Sequence, residues 1–155
     1  MFKKLSILAA AIAGLATTAS AEGYAKVFNQ CDFEVTVWSV GKDVSNGHTL
    51  AKGQSYEEPF AVDPKTGGRT LKITRDRDGL YTGKPQTNYA YSLTQPNVWY
   101  DLSDVFGDAF SGHKLRLASD DSTCPTIQWD DGVPPGGAHT QVCHSDDSVV
   151  LTLCA

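Results

Sequence analysis

Downstream of residue 21 the apolar residues of this chain recur at every second position, a period that suits strands and not helices. In residues 32–41, Phe33, Val35 and Val37 alternate with Glu34, Thr36 and Trp38, the pattern of a strand with one buried face. The alternation returns in residues 70–75, where Leu71 and Ile73 alternate with Lys72 and Thr74, and in residues 113–118 with Leu115 and Leu117. Residues 148–154 read as a more completely buried strand. Residues 24–28, 88–93 and 98–102 are further strands rich in β-branched or aromatic side chains. Turn formers punctuate these runs at Asn46-Gly47, residues 63–68, Asp78-Gly79 and residues 133–137. The one helical signal is a turn or two after Ser103, a candidate N-cap, ending by Gly107 or Gly112. Short strands at this spacing predict one nearly all-β domain, an antiparallel sandwich or barrel.

Residues 1–21 are expected to be a signal peptide, with residues 22–155 as the domain that remains. Lys3 and Lys4 supply a basic start, an apolar stretch follows from Leu5 to about Thr18, and Ala19-Ser20-Ala21 gives a small-x-small cleavage pattern before Glu22. Beyond residue 21 there are 11 basic and 18 acidic side chains, a net charge of −7. That balance argues against nucleic-acid and anionic-membrane binding, which depend on Lys and Arg meeting phosphate. The four cysteines all lie in the exported part, and outside the cell an even count predicts two disulfides. A zinc site is the competing reading, because His139 and His144 flank Cys143, but no C-x-x-C pair is present. Three pairings are open; the favoured one ties Cys31 to Cys154 and closes a local loop with Cys124 and Cys143.

Catalytic signatures are sparse. No nucleophile elbow, metalloprotease helix or phosphate loop occurs. His48, His113, His139 and His144 fall in polar segments and read as surface residues. Carboxylates remain: Asp101, Asp104 and Asp108 after Trp99-Tyr100; Asp76 and Asp78 beside Tyr81; and the adjacent pairs at 120–121, 130–131 and 146–147. Two opposed carboxylates can hydrolyse a glycosidic bond, and several oxygens can hold calcium, but Asp76-x-Asp78-Gly79 lacks the distal acid of a calcium loop. Trp38, Trp99, Tyr100, Tyr81, Tyr89 and Tyr91 are candidates for a stacking surface for sugar rings, with some of them necessarily in the core.

Residues 29–38 (NQCDFEVTVW), Gly53-Gln54-Ser55-Tyr56, Tyr91-Ser92-Leu93, residues 99–103 followed by Gly107, and the terminal VLTLC at 150–154 resemble the thaumatin-like proteins. Residues 71–94, 99–112 and 131–138 resemble more closely a group of small fungal secreted proteins, the Blastomyces yeast-phase-specific family, described as antigenic thaumatin-like proteins. This resemblance implies a thaumatin-like antiparallel β-sandwich stapled by two disulfides, and it supports the Cys31–Cys154 pairing.

Glucan-active thaumatin-like proteins carry an acidic cleft, and the positions matching its four charged residues are Lys84, Ala90, Asp101 and Phe106. Only Asp101 is an acid, so the resemblance implies a non-catalytic protein. Its expected partner is cell-wall polysaccharide such as β-glucan, or a host surface ligand. The candidate ligand-binding residues are Asp101, Tyr100, Asp104, Asp76, Asp78, Tyr81 and Lys84. No cofactor, metal, nucleic acid or membrane insertion is expected, and the chain is expected to be an extracellular monomer. A weak glucan hydrolase and an effector-like or antimicrobial protein are the alternatives.

Overall fold

The computed structural model describes residues 21–155 apart from Ala138. The expected signal peptide falls, but for Ala21, outside the described residues. Two sheets face one another. The first runs β4 (Ser55–Pro59), β1 (Tyr24–Asn29), β11 (Val149–Leu153), β8 (Leu115–Ser119), β9 (Ile127–Trp129). The second runs β10 (Gln141–His144), β7 (Asn97–Val105), β6 (Gln86–Thr94), β5 (Arg69–Thr74), β2 (Val35–Val40), β3 (His48–Leu50). Every pairing is antiparallel except β1 with β11.

Register sets which side chains meet inside. Val37 lies opposite Ile73, Leu71 opposite Tyr89, Tyr91 opposite Tyr100, and Leu93 opposite Val98. All of these are buried and form one face of the core. Val27, Leu151, Leu117 and Leu115 line the facing sheet. At about 25 cal/mol per Å² of apolar surface removed from water, this double layer is the main term holding the sandwich. The disulfides join Cys31 to Cys154 and Cys124 to Cys143. The first bond lies just past the ends of β1 and β11, so it clips their parallel ladder.

Three expectations need correction. No helix starts at Ser103, because β7 continues through Ser103 and Asp104 as the partner of Asn88 and Thr87. The one described helix is α1 (Gly79–Thr82), which closes on Gly83 in a left-handed conformation, at a place where the sequence suggested only a turn. Strand β11 is not buried on both faces: Val150 and Thr152 are half-exposed. Conversely β2, read as one-faced, is buried on both. Thr36 and Trp38 lie on its outer side, and Tyr81 of α1 packs edge-on against Trp38 at 6.5 Å between ring centres.

Candidate functional site

The alternation that buries Tyr89, Tyr91 and Tyr100 turns their neighbours to the outer face of the six-stranded sheet. There Thr70, Ala90 and Asp101 form one cross-strand row, and Ser92 lies opposite Trp99 in the next. These residues floor an open trough of about 350 Å³, walled by Thr66, Gly68, Arg69 and Thr140. Trp99 stands 45 % exposed at its rim, far more than an indole shows when its role is packing. Gly68 is required by close approach: a Cβ there would come within 2.6 Å of the Ser92 hydroxyl and 2.8 Å of the Tyr91 carbonyl.

A polar clamp holds the Thr66–Gly68 wall. Asp63 is buried and accepts backbone N–H groups from Lys42 (2.7 Å), Lys65 (3.0 Å) and Thr66 (2.9 Å). These donors, led by Lys42, hold its carboxyl far below the usual carboxylate range. Arg69 reaches Asp63 at 3.3 Å, Glu58 at 3.3 Å and the Ser39 hydroxyl at 2.8 Å. Glu58 belongs to the other sheet and also accepts the hydroxyls of Tyr56 and Tyr91, each at 2.7 Å. The guanidinium is therefore committed to joining the two sheets, and the trough keeps Asp101 as its acid. Among the described residues no cation pairs with Asp101.

The acids singled out in the sequence do not converge. Asp101 and Asp104 are three apart on β7 and so face opposite ways, although both border a depression of about 420 Å³ under Pro134 and His139. Asp104 turns inward beside Thr87, whose hydroxyl donates to Oδ1 at 2.6 Å, while Oδ2 is buried without a hydrogen-bond partner among the described residues. Burial pushes the Asp104 carboxyl up to about 6, and the nearby Asp108 carboxyl adds to the rise. Asp76, Lys84 and Asp108 line another depression, where Lys84 pairs with Asp76 at 3.9 Å. Asp78 is exposed at the start of α1 and makes no side-chain cap.

The aromatic face is smaller than the sequence suggested. Trp38, Tyr89, Tyr91 and Tyr100 are buried; the Tyr100 hydroxyl donates to the Pro125 carbonyl and that of Tyr89 to the Val149 carbonyl. The Tyr100 ring is therefore core and offers nothing to a ligand. Trp99 and Tyr81 remain exposed, and Tyr81 stands over Trp38, away from the trough lining. Phe106 takes a φ of 63° and is 68 % exposed, a conformation a bulky residue rarely holds. Sequence reasoning missed Thr66, Gly68, Ser92 and Thr140. The first and last reach the trough from loops, while Ser92 was legible as the outward neighbour of Tyr91. Among the described residues one group of three ligand-type atoms lies within 4.8 Å, Asp121 with Cys124 and Cys143, and both its sulfurs are in the disulfide. The zinc reading fails for that reason.

A family model described as Blastomyces yeast-phase-specific protein matches residues 12–155. The chain belongs to that family. It is 30 % identical to a secreted thaumatin-like protein, calA, of Emericella nidulans, across 99 % of this chain and 97 % of the relative. It is 27 % identical to an antigenic thaumatin-like protein of Arthroderma benhamiae, across 86 % of this chain and 71 % of that one. Among solved structures, the protein elicitor MoHrip2 of Magnaporthe oryzae shares the fold with a TM-score of 0.70 at 24 % identity, covering 86 % of this chain and 99 % of that chain. The thaumatin-like xylanase inhibitor TLXI shares it with a TM-score of 0.55 at 14 % identity, covering 84 % and 98 %. The fold is thaumatin-like and the protein is extracellular, where disulfides persist. Of the positions matched in the sequence to the cleft of glucan-active thaumatin-like proteins, Ala90 and Asp101 are direct cross-strand partners. Lys84 and Phe106 are absent from the trough lining, Lys84 in its pair with Asp76 and Phe106 exposed beyond β7.

Proposed function

We propose that this family member is a non-catalytic binding protein that holds neutral polysaccharide, such as cell-wall β-glucan, in the trough beside Trp99. The observation that carries the reading is a half-exposed indole standing over a floor of hydroxyls with a single carboxylate. A sugar ring offers C–H groups to an aromatic face and hydroxyls to Thr70, Ser92, Thr140 and Asp101, which both donate and accept as a set.

Hydrolysis lacks its geometry. Ala90 occupies the place opposite Asp101 where a second acid would stand. Asp104, the next acid along β7, turns to the opposite side of the strand and binds the Thr87 hydroxyl, so it does not face Asp101 across one sugar. The test is retention of the protein on insoluble β-glucan, chitin and cellulose, with the supernatant assayed for released sugar. Retention on glucan without sugar release, lost in Trp99→Ala, is expected. Sugar release abolished by Asp101→Asn would overturn the non-catalytic reading. Failure to bind any polymer would turn the search to a protein ligand on a host surface.

A further inference from the structure

Asn97, Trp99, Asp101 and Ser103 are alternate residues of β7 and stand in one line on the outer face. Three depressions lie along that line and share walls in succession. At the Asn97 end, Asn97 and Trp99 border a depression of about 370 Å³ completed by Thr123, Pro125, Val142 and His144. Across Trp99 lies the trough already described. Its Asp101 and Thr140 in turn border the third depression, with Ser103, Pro135 and His139. At about 3.4 Å per residue the line from Asn97 to Ser103 is about 20 Å long.

We propose that these depressions form one furrow that binds an internal stretch of an extended, uncharged polysaccharide along β7, with sugar subsites on both sides of Trp99. The proposal rests on the glycan-binding reading and adds the far depression and the chain direction to it. Each depression is near the lower end of the roughly 300–1,000 Å³ typical of small-ligand pockets. One alone suits a short sugar, and three in line suit a chain. From Asn97 to Tyr100 both sides of β7 are bonded, to β6 and β10, so a peptide strand finds no free backbone groups of β7 to pair with along that half of the line. Asp101 to Ser103 are bonded to β6 alone, and there the hydroxyl-rich lining is what favours a glycan. Acidic polymers are disfavoured because Asp101, Asp104 and Asp121 border the depressions and the described residues carry a net charge of −7. Thr66, Ser92, Asn97, Thr123 and Thr140 supply the neutral donors and acceptors that sugar hydroxyls match.

The experiment is calorimetric titration of the disulfide-intact protein with β-glucan disaccharide and hexasaccharide, repeated with glucosamine oligomers of equal length. The hexasaccharide is expected to bind at least about tenfold more tightly than the disaccharide. Combined Thr123→Ala and His144→Ala, both at exposed positions of the far depression, should remove most of that gain and leave disaccharide affinity within about twofold. Near-UV circular dichroism verifies that the variant is folded. Equal affinity for the two lengths, or a far-end variant that binds hexasaccharide as well as the parent, would overturn the furrow while the binding reading stands. Preference for the cationic oligomers would overturn the assignment to an uncharged chain. Binding of no oligosaccharide, together with no retention on any polymer, would overturn both.

Discussion

Replacing Asp104 by Asn should stabilise the protein at neutral pH and leave it unchanged in acid. The folded carboxyl titrates at about 6, against an ordinary value of 3.8, because it is partly buried and lies beside Asp108. A carboxyl raised in the folded state binds a proton there that the unfolded chain has already released. Stability therefore falls as pH rises from about 4 to about 6, and the full penalty persists above that window. A shift of about two pH units corresponds to at most about 3 kcal/mol. Partial exposure of the side chain reduces this to about 1–2 kcal/mol.

Asparagine keeps an oxygen for the Thr87 hydroxyl, carries no charge to desolvate, and places an N–H₂ where Oδ2 now lacks a partner. Urea denaturation of parent and variant at about pH 3.5 and about pH 7.5 isolates the term, since the other titrating groups are common to both proteins. A gain of about 1–2 kcal/mol at the higher pH only is expected. Equal or lower stability of the variant at about pH 7.5, or an Asp104 NMR titration near the ordinary value of about 4, would refute the reasoning.

Removing Cys31–Cys154, which spans 123 residues, should cost about 5 kcal/mol in the chain-entropy account, against about 3 kcal/mol for Cys124–Cys143 with its separation of 19. Denaturant unfolding of the two double-serine variants checks the order, and the short loop costing more would contradict it. Arg69→Ala should destabilise by about 2–4 kcal/mol, because Glu58 is left between two tyrosine hydroxyls without its cation. Thermal unfolding reads that loss, and Arg69→Lys should recover only part of it because a single ammonium cannot span Asp63, Glu58 and Ser39. Asp63, held ionised by backbone donors, contributes stability that is present above about pH 4 and lost as the pH falls toward its lowered value. Asp63→Asn should therefore flatten the acid limb of a melting-temperature profile.

The long alternating strands were legible because a period of two has to be sustained to be seen. Strands β2, β5, β8 and β11 each carry at least two alternating apolar residues. Strands β3, β4, β9 and β10 are three to five residues long, and SYEEP or QVCH carries no period. Their place comes from partners distant in the chain. Ser103 looked like a helix cap because local chemistry permits one there, but nine consecutive pairings with β6 hold β7 extended through Val105. The aromatic face was half legible. Val98 and Leu102 share parity with Tyr100 and mark it as inward, which leaves Trp99 outward. The approach of Asp108 to Asp104, and of the loop carrying Thr140 to Asp101, depends on loop paths that no period encodes.

The parallel pairing of β1 with β11 places the first and last described strands side by side, and Cys31 bonds a partner 123 residues away. During synthesis β1 can pair early with β4, but its other neighbour, β11, exists only when nearly the whole domain has been made. The five-stranded sheet cannot close on a partial chain, since β11 also separates β1 from β8. Such a topology folds late and slowly by its nature. The closed five-stranded sheet and the Cys31–Cys154 clip that locks it are therefore the last parts of this extracellular domain to be completed, set where disulfides persist.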